Sequence, residues 1–228
     1  MLISWQALLA RDSWNDFWLR SVKFKLPPLY PIIDSEFNPR TLPFVVNEIG
    51  RAGITLVQLR EKRASSRELL RVTLQALEIS QPHQLAVILN DRADIAWLSG
   101  AHGVHLGQED LPVADARKLL GPDKIIGAST HSLSQALEAR QSLADYIAIG
   151  PIYATTSKEN PDPLVAWEEL KAIRRQVTKP LVAIGGITTG NAKRLFDLGI
   201  DSVAVIRDLL CAENIASKVE EFLRLASS

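Results

Sequence analysis

The chain has 228 residues, 46% of them apolar and 23% charged, enough for one large domain with a full hydrophobic core. Its 26 basic and 26 acidic residues balance to a formal charge of zero, which argues against the basic field of a nucleic-acid-binding surface. A lone cysteine, Cys211, excludes a disulfide framework and a thiolate metal cluster, no apolar run is long enough to span a membrane, and a cytoplasmic location is the expectation.

The first 26 residues stand apart. Trp5, Trp14, Phe17 and Trp18 crowd into them, and Leu2, Trp5 and Leu9 fit one helical face. No basic region precedes a long apolar one, so the segment does not read as a signal peptide. It reads as a helical extension over residues 1–26 that packs on the body of the protein, with a subunit or membrane-surface contact as the alternative.

From residue 27 to 228 the chain alternates. Short β-rich runs fall at 29–33, 55–59, 85–89, 103–106, 124–128, 146–150, 181–185 and 202–206. Helical patterns lie between them. Leu70, Leu74 and Leu77 recur at helical spacing after Ser65 and Ser66, either of which can cap the start. A second helix follows Ser132 or Ser134, a third carries Trp167, Leu170 and Ile173, and a fourth starts near Thr189 and stops at Gly199. The strands are apolar almost throughout, as in a parallel sheet covered by helices. Eight strand–helix repeats predict an α/β protein of the (β/α)8 TIM-barrel class. The rival is an open doubly wound sheet, which lacks its usual support here because no G-x-G-x-x-G follows the first strand.

A barrel of this kind places functional residues just past the C-terminal strand ends. Those positions hold Gln58, Arg60 and Lys62 after strand two, Asn90 and Asp91 after strand three, and Asp110 after strand four. Ser129, Thr130 and His131 follow strand five, Thr155, Thr156, Ser157 and Lys158 strand six, and Gly185 and Gly186 strand seven. Asp91 and Asp110 would lie on neighbouring strands, where two hard oxygen ligands with open positions suit Mg2+ held together with substrate phosphates. The plainer alternative is that each caps the helix after it. Arg60, Lys62 and Lys158 face that site as cations, Arg with bidentate geometry and Lys as a point charge, and together they suit a pyrophosphate. Gly186 is a backbone N–H donor for a second phosphate near strands seven and eight, or simply the residue that turns the chain. No nucleophile–base pair stands out. His131 has no carboxylate at clear spacing to orient it, and His105 is expected in or beside the barrel wall.

The same residues carry a resemblance. VQLREK (57–62), LNDRADIA (89–96), GVHLGQEDLP (103–112), IGASTHS (126–132), YIAIGPIYATTSK (146–158), VAIGGI (182–187) and VAVI (203–206) resemble, in order, the blocks of the thiamine phosphate synthase (thiamine-phosphate pyrophosphorylase) family. That resemblance implies a Mg2+-dependent homodimeric enzyme. It would join 4-amino-2-methyl-5-(diphosphooxymethyl)pyrimidine to 4-methyl-5-(2-phosphoethyl)thiazole, giving thiamine phosphate and pyrophosphate by dissociative loss of pyrophosphate. Carried over residue by residue, Asp91 and Asp110 are implied as metal ligands. Arg60, Lys62, Asn90 and Lys158 are implied as pyrophosphate contacts with Gln58 beside them, and Ser129 as a contact to the pyrimidine diphosphate. Thr155, Ser157, Gly186, Val205 and Ile206 are implied around the thiazole phosphate.

The chain departs from the family pattern where Ala154 replaces a proline, Ser157 a threonine, Ser202 a glycine and Arg207 a serine. Two other readings stay open: the related thiazole phosphate tautomerase branch, and a non-catalytic thiazole-phosphate-binding barrel. The intact Gln108-Glu109-Asp110 favours the synthase over the first, and the retained Arg60, Lys62, Asp91, Asp110 and Lys158 over the second.

Overall fold

A computed structural model describes residues 25–157 and 162–228. The expected helical extension falls almost wholly on residues outside these, and so does Lys158. Among the described residues, eight parallel strands close into a barrel in sequence order, β1 to β8, with β1 paired to β8. They are β1 (Leu29–Asp34), β2 (Leu56–Arg60), β3 (Ala86–Asn90), β4 (Gly103–Leu106), β5 (Ile125–Thr130), β6 (Tyr146–Ile149), β7 (Leu181–Ile184) and β8 (Ser202–Val205). The helices that follow them are α1 (Leu42–Arg51), α2 (Ser66–Ser80), α3 (Ala93–Ser99), α4 (Val113–Leu120), α5 (Leu133–Gln141), α6 (Trp167–Gln176), α7 (Thr189–Asp197), the short α8 (Arg207–Leu210) and α9 (Ile215–Ser227).

Local chemistry explains the starts and stops. The Ser65 hydroxyl accepts from the Glu68 N–H at 3.3 Å, which makes Ser65 the cap of α2. Ser132 does the same for α5 through Gln135 N–H at 3.3 Å. At α7 the Asn191 side chain reaches back to accept the Thr188 N–H at 2.9 Å. Gly199, at φ +86°, takes the left-handed turn that ends the α7 region.

The core has two layers. Leu29, Ile33, Val57, Leu59, Val87 and Leu89 belong to the outer one, between strands and helices. Tyr30, Ile32, Leu56, Ile88, Ile125, Tyr146, Val182 and Ala204 fill the barrel itself. Successive strand residues alternate between these layers, so each strand is apolar on both faces until it nears the mouth. The inward face then changes character within one strand: Ile32 leads to Asp34, Leu56 to Gln58 and Arg60, Ile88 to Asn90, and Ile125 to Gly127 and Ser129. Strand ends differ from the sequence expectation mainly at β5. It runs on through Ser129 and Thr130, because Thr130 pairs with Ile149 and its hydroxyl donates to Ala148 O at 2.9 Å.

Candidate active site

The polar strand ends line a single cavity of about 1240 Å³ at the C-terminal mouth. Gln58, Arg60, Lys62, Asn90, Asp91, Asp110 and Ser129 line one side, and Thr155, Ser157, Gly186, Val205 and Ile206 the other. Every site residue expected from the sequence and present among the described residues therefore opens onto one space. That volume exceeds a typical single-ligand pocket of roughly 300–1,000 Å³ and leaves room for two small substrates.

Neither carboxylate is a helix cap. α3 starts at Ala93 with Arg92 at its N-cap, and α4 follows Pro112, without a side-chain cap at either. Asp91 instead sits at φ +63°, a left-handed conformation that costs a non-glycine residue free energy, and its N–H donates to His105 O at 2.8 Å. The Asp110 carboxylate accepts the Gly107 N–H at 2.6 Å. Burial pushes the Asp110 carboxyl above its ordinary range, the Gly107 N–H opposes that, and the hydrogen-bonding, like-charged Asp91 carboxyl beside it adds to the rise. Two carboxyls brought together in this way could serve as oxygen donors to a hard divalent cation. Among the described residues no cluster of three or more His, Cys, Asp or Glu side chains could hold a metal, so the pair would leave most positions to water and substrate oxygens.

The cations are already engaged. Arg60 pairs with Asp34, a residue that the sequence reading passed over, and the two are in register across β1 and β2. Their side chains are only 16% and 3% exposed, which makes this a largely buried ion pair. Asp34 ends β1 as the other site residues end theirs, so the strand-end rule alone would have found it. Lys62 pairs with Asp91 and is half exposed. Glu61, between them in sequence, accepts from the Ser35 hydroxyl.

On the opposite side the glycines do structural work. Gly185 and Gly186 both have positive φ, and a Cβ on Gly186 would overlap the carbonyl of Ala154. The turn after β7 and the loop after β6 thus pack backbone to backbone, and only glycine fits there. In that loop the Thr155 hydroxyl accepts the Ser157 N–H at 3.2 Å, so the serine substitution keeps an ordered hydroxyl at the mouth. Arg207 is exposed and lines the mouth. It donates to the Thr156 hydroxyl, with its guanidinium 5.5 Å from the Phe37 ring centroid. His131 also differs from expectation: Nδ1 lies 2.6 Å from Gly150 O and Nε2 3.5 Å from Asp162, a carboxylate thirty-one positions away in sequence and so invisible to spacing.

A parallel eight-stranded barrel with paired carboxylates, paired cations and a glycine-hydroxyl rim at its C-terminal mouth defines a phosphate-handling (β/α)8 enzyme. The family model described as "Thiamine monophosphate synthase" matches residues 29–209. The chain is 46% identical over 209 residues to the thiamine-phosphate synthase of Koribacter versatilis, covering 90% of this chain and 98% of that one. It is 44% identical over 174 residues to thiamine-phosphate synthase 2 of Streptococcus pneumoniae, covering 76% and 82%. The solved thiamine phosphate pyrophosphorylase of Pyrococcus furiosus superposes with a TM-score of 0.77 at 32% identity, over 88% of this chain and 96% of that one. The chain belongs to the thiamine monophosphate synthase family.

Proposed function

We propose that the protein is a thiamine-phosphate synthase, which couples the pyrimidine diphosphate to the thiazole phosphate and releases pyrophosphate. The observation that carries this reading is the division of one mouth into two charged regions. Asp91, Asp110, Arg60 and Lys62 stand at one, and Thr155, Ser157, Gly186 and Arg207 at the other. One region suits a diphosphate and the other a monophosphate, which matches the two substrates of the family reaction.

Arg60 is held in place by Asp34, so its guanidinium meets a diphosphate preorganised rather than floppy. Lys62 is more exposed and would exchange Asp91 for a phosphate oxygen when substrate arrives. Mg2+ bound at Asp91 and Asp110 would neutralise the charge that grows on departing pyrophosphate. Asn90 and Ser129 line the same wall and supply neutral hydrogen-bonding groups, and Lys158 is proposed as a further cationic contact to the diphosphate. Across the mouth, Thr155, Ser157, Gly186 and the turn at Val205 and Ile206 would hold the thiazole phosphate. Its ring nitrogen would thus face the carbon that pyrophosphate leaves, and this shared position converts a bimolecular encounter into proximity within one cavity. A homodimer, a cytoplasmic setting and a helical segment before residue 27 belong to the same proposal.

A tautomerase reading has the His131–Asp162 contact in its favour, since a carboxylate-oriented imidazole at the mouth is equipped to move protons. The retained Asp91–Asp110 pair, which such a reaction does not require, weighs against it. The test is to combine purified protein, the pyrimidine diphosphate, the thiazole phosphate and Mg2+, and to follow thiamine phosphate by the fluorescence of its oxidised form. Product that vanishes with EDTA and in Asp110→Ala is expected. Absence of product from folded protein that still binds the thiazole phosphate would overturn the reading and move the assay to tautomerisation.

A further inference from the structure

A chain of hydrogen bonds runs from Gln58 to Ser129, both of which line the mouth, through two tyrosines buried in the barrel beneath it. Gln58 Nε2 donates to Tyr30 Oη at 3.3 Å, and Tyr30 Oη lies 2.8 Å from Tyr146 Oη. Tyr146 Oη lies 2.9 Å from His105 Nδ1, and His105 Nε2 lies 2.8 Å from Ser129 Oγ. Gln58, Tyr30, Tyr146 and His105 are all buried. The two tyrosine rings meet edge to face at 5.7 Å, and the imidazole stacks on Tyr146 at 5.5 Å.

The fold makes room for this chain at one residue. His105, Gly127 and Tyr146 occupy the same register row across β4, β5 and β6. A Cβ on Gly127 would overlap both the Tyr146 hydroxyl and His105 Nδ1. Glycine in the middle of a strand weakens it, and it is found where another group must pass close by. The group that passes here is the Tyr146–His105 hydrogen bond.

Such a chain has a direction. An amide nitrogen only donates, so Tyr30 accepts from Gln58 and has its own proton free for Tyr146. Tyr146 then donates to His105 Nδ1, which leaves the imidazole proton on Nε2, directed at Ser129 Oγ. The serine oxygen, accepting from within, turns its own O–H outward to the cavity. A neutral imidazole placed between Tyr146 Oη and Ser129 Oγ accepts at one nitrogen and donates at the other.

We infer that Tyr30, Tyr146 and His105 are positioning residues that hold Ser129 as a hydrogen-bond donor toward the diphosphate, with Gly127 as the space that lets them connect. This rests on the reading of Ser129 as a substrate contact. The function of the chain is to prevent the serine from offering a lone pair to an anion, a mismatch that neither the barrel packing nor the metal pair would correct.

The first measurement is 15N NMR of the imidazoles in the intact protein without substrate, assigned with a His105→Gln variant. The Nε2–H tautomer of His105 is expected, and an Nδ1–H tautomer would reverse the chain and overturn the inference whether or not the protein makes thiamine phosphate. The second is a double-mutant cycle on turnover. Tyr146→Phe removes one hydroxyl without emptying the core, and it should lower kcat roughly tenfold with little change in KM for the thiazole phosphate. In a Ser129→Ala background the same change should lower kcat by less than about twofold. Equal losses in both backgrounds would assign Tyr146 to packing alone. Tyr30→Phe, one link further from the site, should repeat the pattern in weaker form, and its failure to depend on Ser129 would also count against the chain.

Discussion

The Arg60–Asp34 pair separates stability from catalysis in one experiment. Asp34 is 2% exposed, and Arg60 Nη1 is its cationic partner, in register on the next strand. Arg60→Ala would leave a buried carboxylate facing an empty volume, a change that costs about 3 kcal/mol of folding stability. The same substitution removes a preorganised donor to departing pyrophosphate, which should lower turnover by roughly a hundredfold. Asp34→Asn added to Arg60→Ala removes the orphaned charge, keeps the carboxamide oxygen that accepts the Glu36 N–H, and should restore most of the stability. Turnover should stay low, because the lost cation is not replaced. Urea unfolding followed by tryptophan fluorescence reads the first quantity, and pyrophosphate release at saturating substrates reads the second. Recovery of turnover in the double variant would refute the role given to Arg60. Unchanged stability in the single variant would refute the burial argument.

Asp110→Asn keeps the shape of the carboxyl and removes its charge, so the Mg2+ concentration needed for half-maximal rate should rise at least roughly tenfold, checked by titrating Mg2+ at fixed substrates. Because Asp110 is pushed upward, the wild-type protein should also need more Mg2+ at pH 5.5 than at pH 7.5. Arg207→Ser removes an exposed cation from the thiazole-phosphate side, and KM for that substrate should rise about fivefold with kcat little changed; a larger effect on the pyrimidine diphosphate would misplace the residue. Burial pushes both His102 and His105 down to about 4, and His102 Nδ1 accepts the Val87 N–H, which a protonated ring cannot do. The unfolded chain therefore takes up protons first as pH falls. The stability from these two residues is fully present above pH 6.5 and lost toward pH 4, at up to about 3 kcal/mol each. Urea midpoints at pH 7.5, 5.5 and 4.5 check this, and a flat profile would contradict it.

The barrel was legible because its signal is local. Each strand declares itself by a short apolar run, each helix by spacing and a cap such as Ser65 or Ser132, and eight repeats in order leave few topologies. The mouth was legible for a related reason: polar residues such as Asn90, Asp91 and Asp110 interrupt runs that are otherwise apolar. Partnerships were much less so. His131 and Asp162 meet across a loop, and Arg207 meets Thr156 from the far side of the mouth, contacts set by barrel closure and not by spacing. Tyr30 and Tyr146 read as ordinary aromatic core residues, since nothing in a run such as "YIAI" says that its first hydroxyl will meet one from 116 positions earlier.

The way charges are matched at the mouth bears on how substrate enters. Arg60 has a buried partner and stays bound to it, whereas Lys62 holds Asp91 at the half-exposed rim, where water competes for both groups. A diphosphate arriving alone would meet the Asp91 and Asp110 carboxylates at close range, and a cation arriving alone would have to displace the Lys62 ammonium. Arriving together, the two would exchange partners with the rim: Lys62 would move to a phosphate oxygen and the carboxylates would keep a positive neighbour. No charge would then be left uncompensated, so the cost of desolvation would fall on paired groups. On the proposed reading the fixed pair and the exchangeable pair would divide the work, Arg60 defining where the diphosphate lies and Lys62 allowing it in.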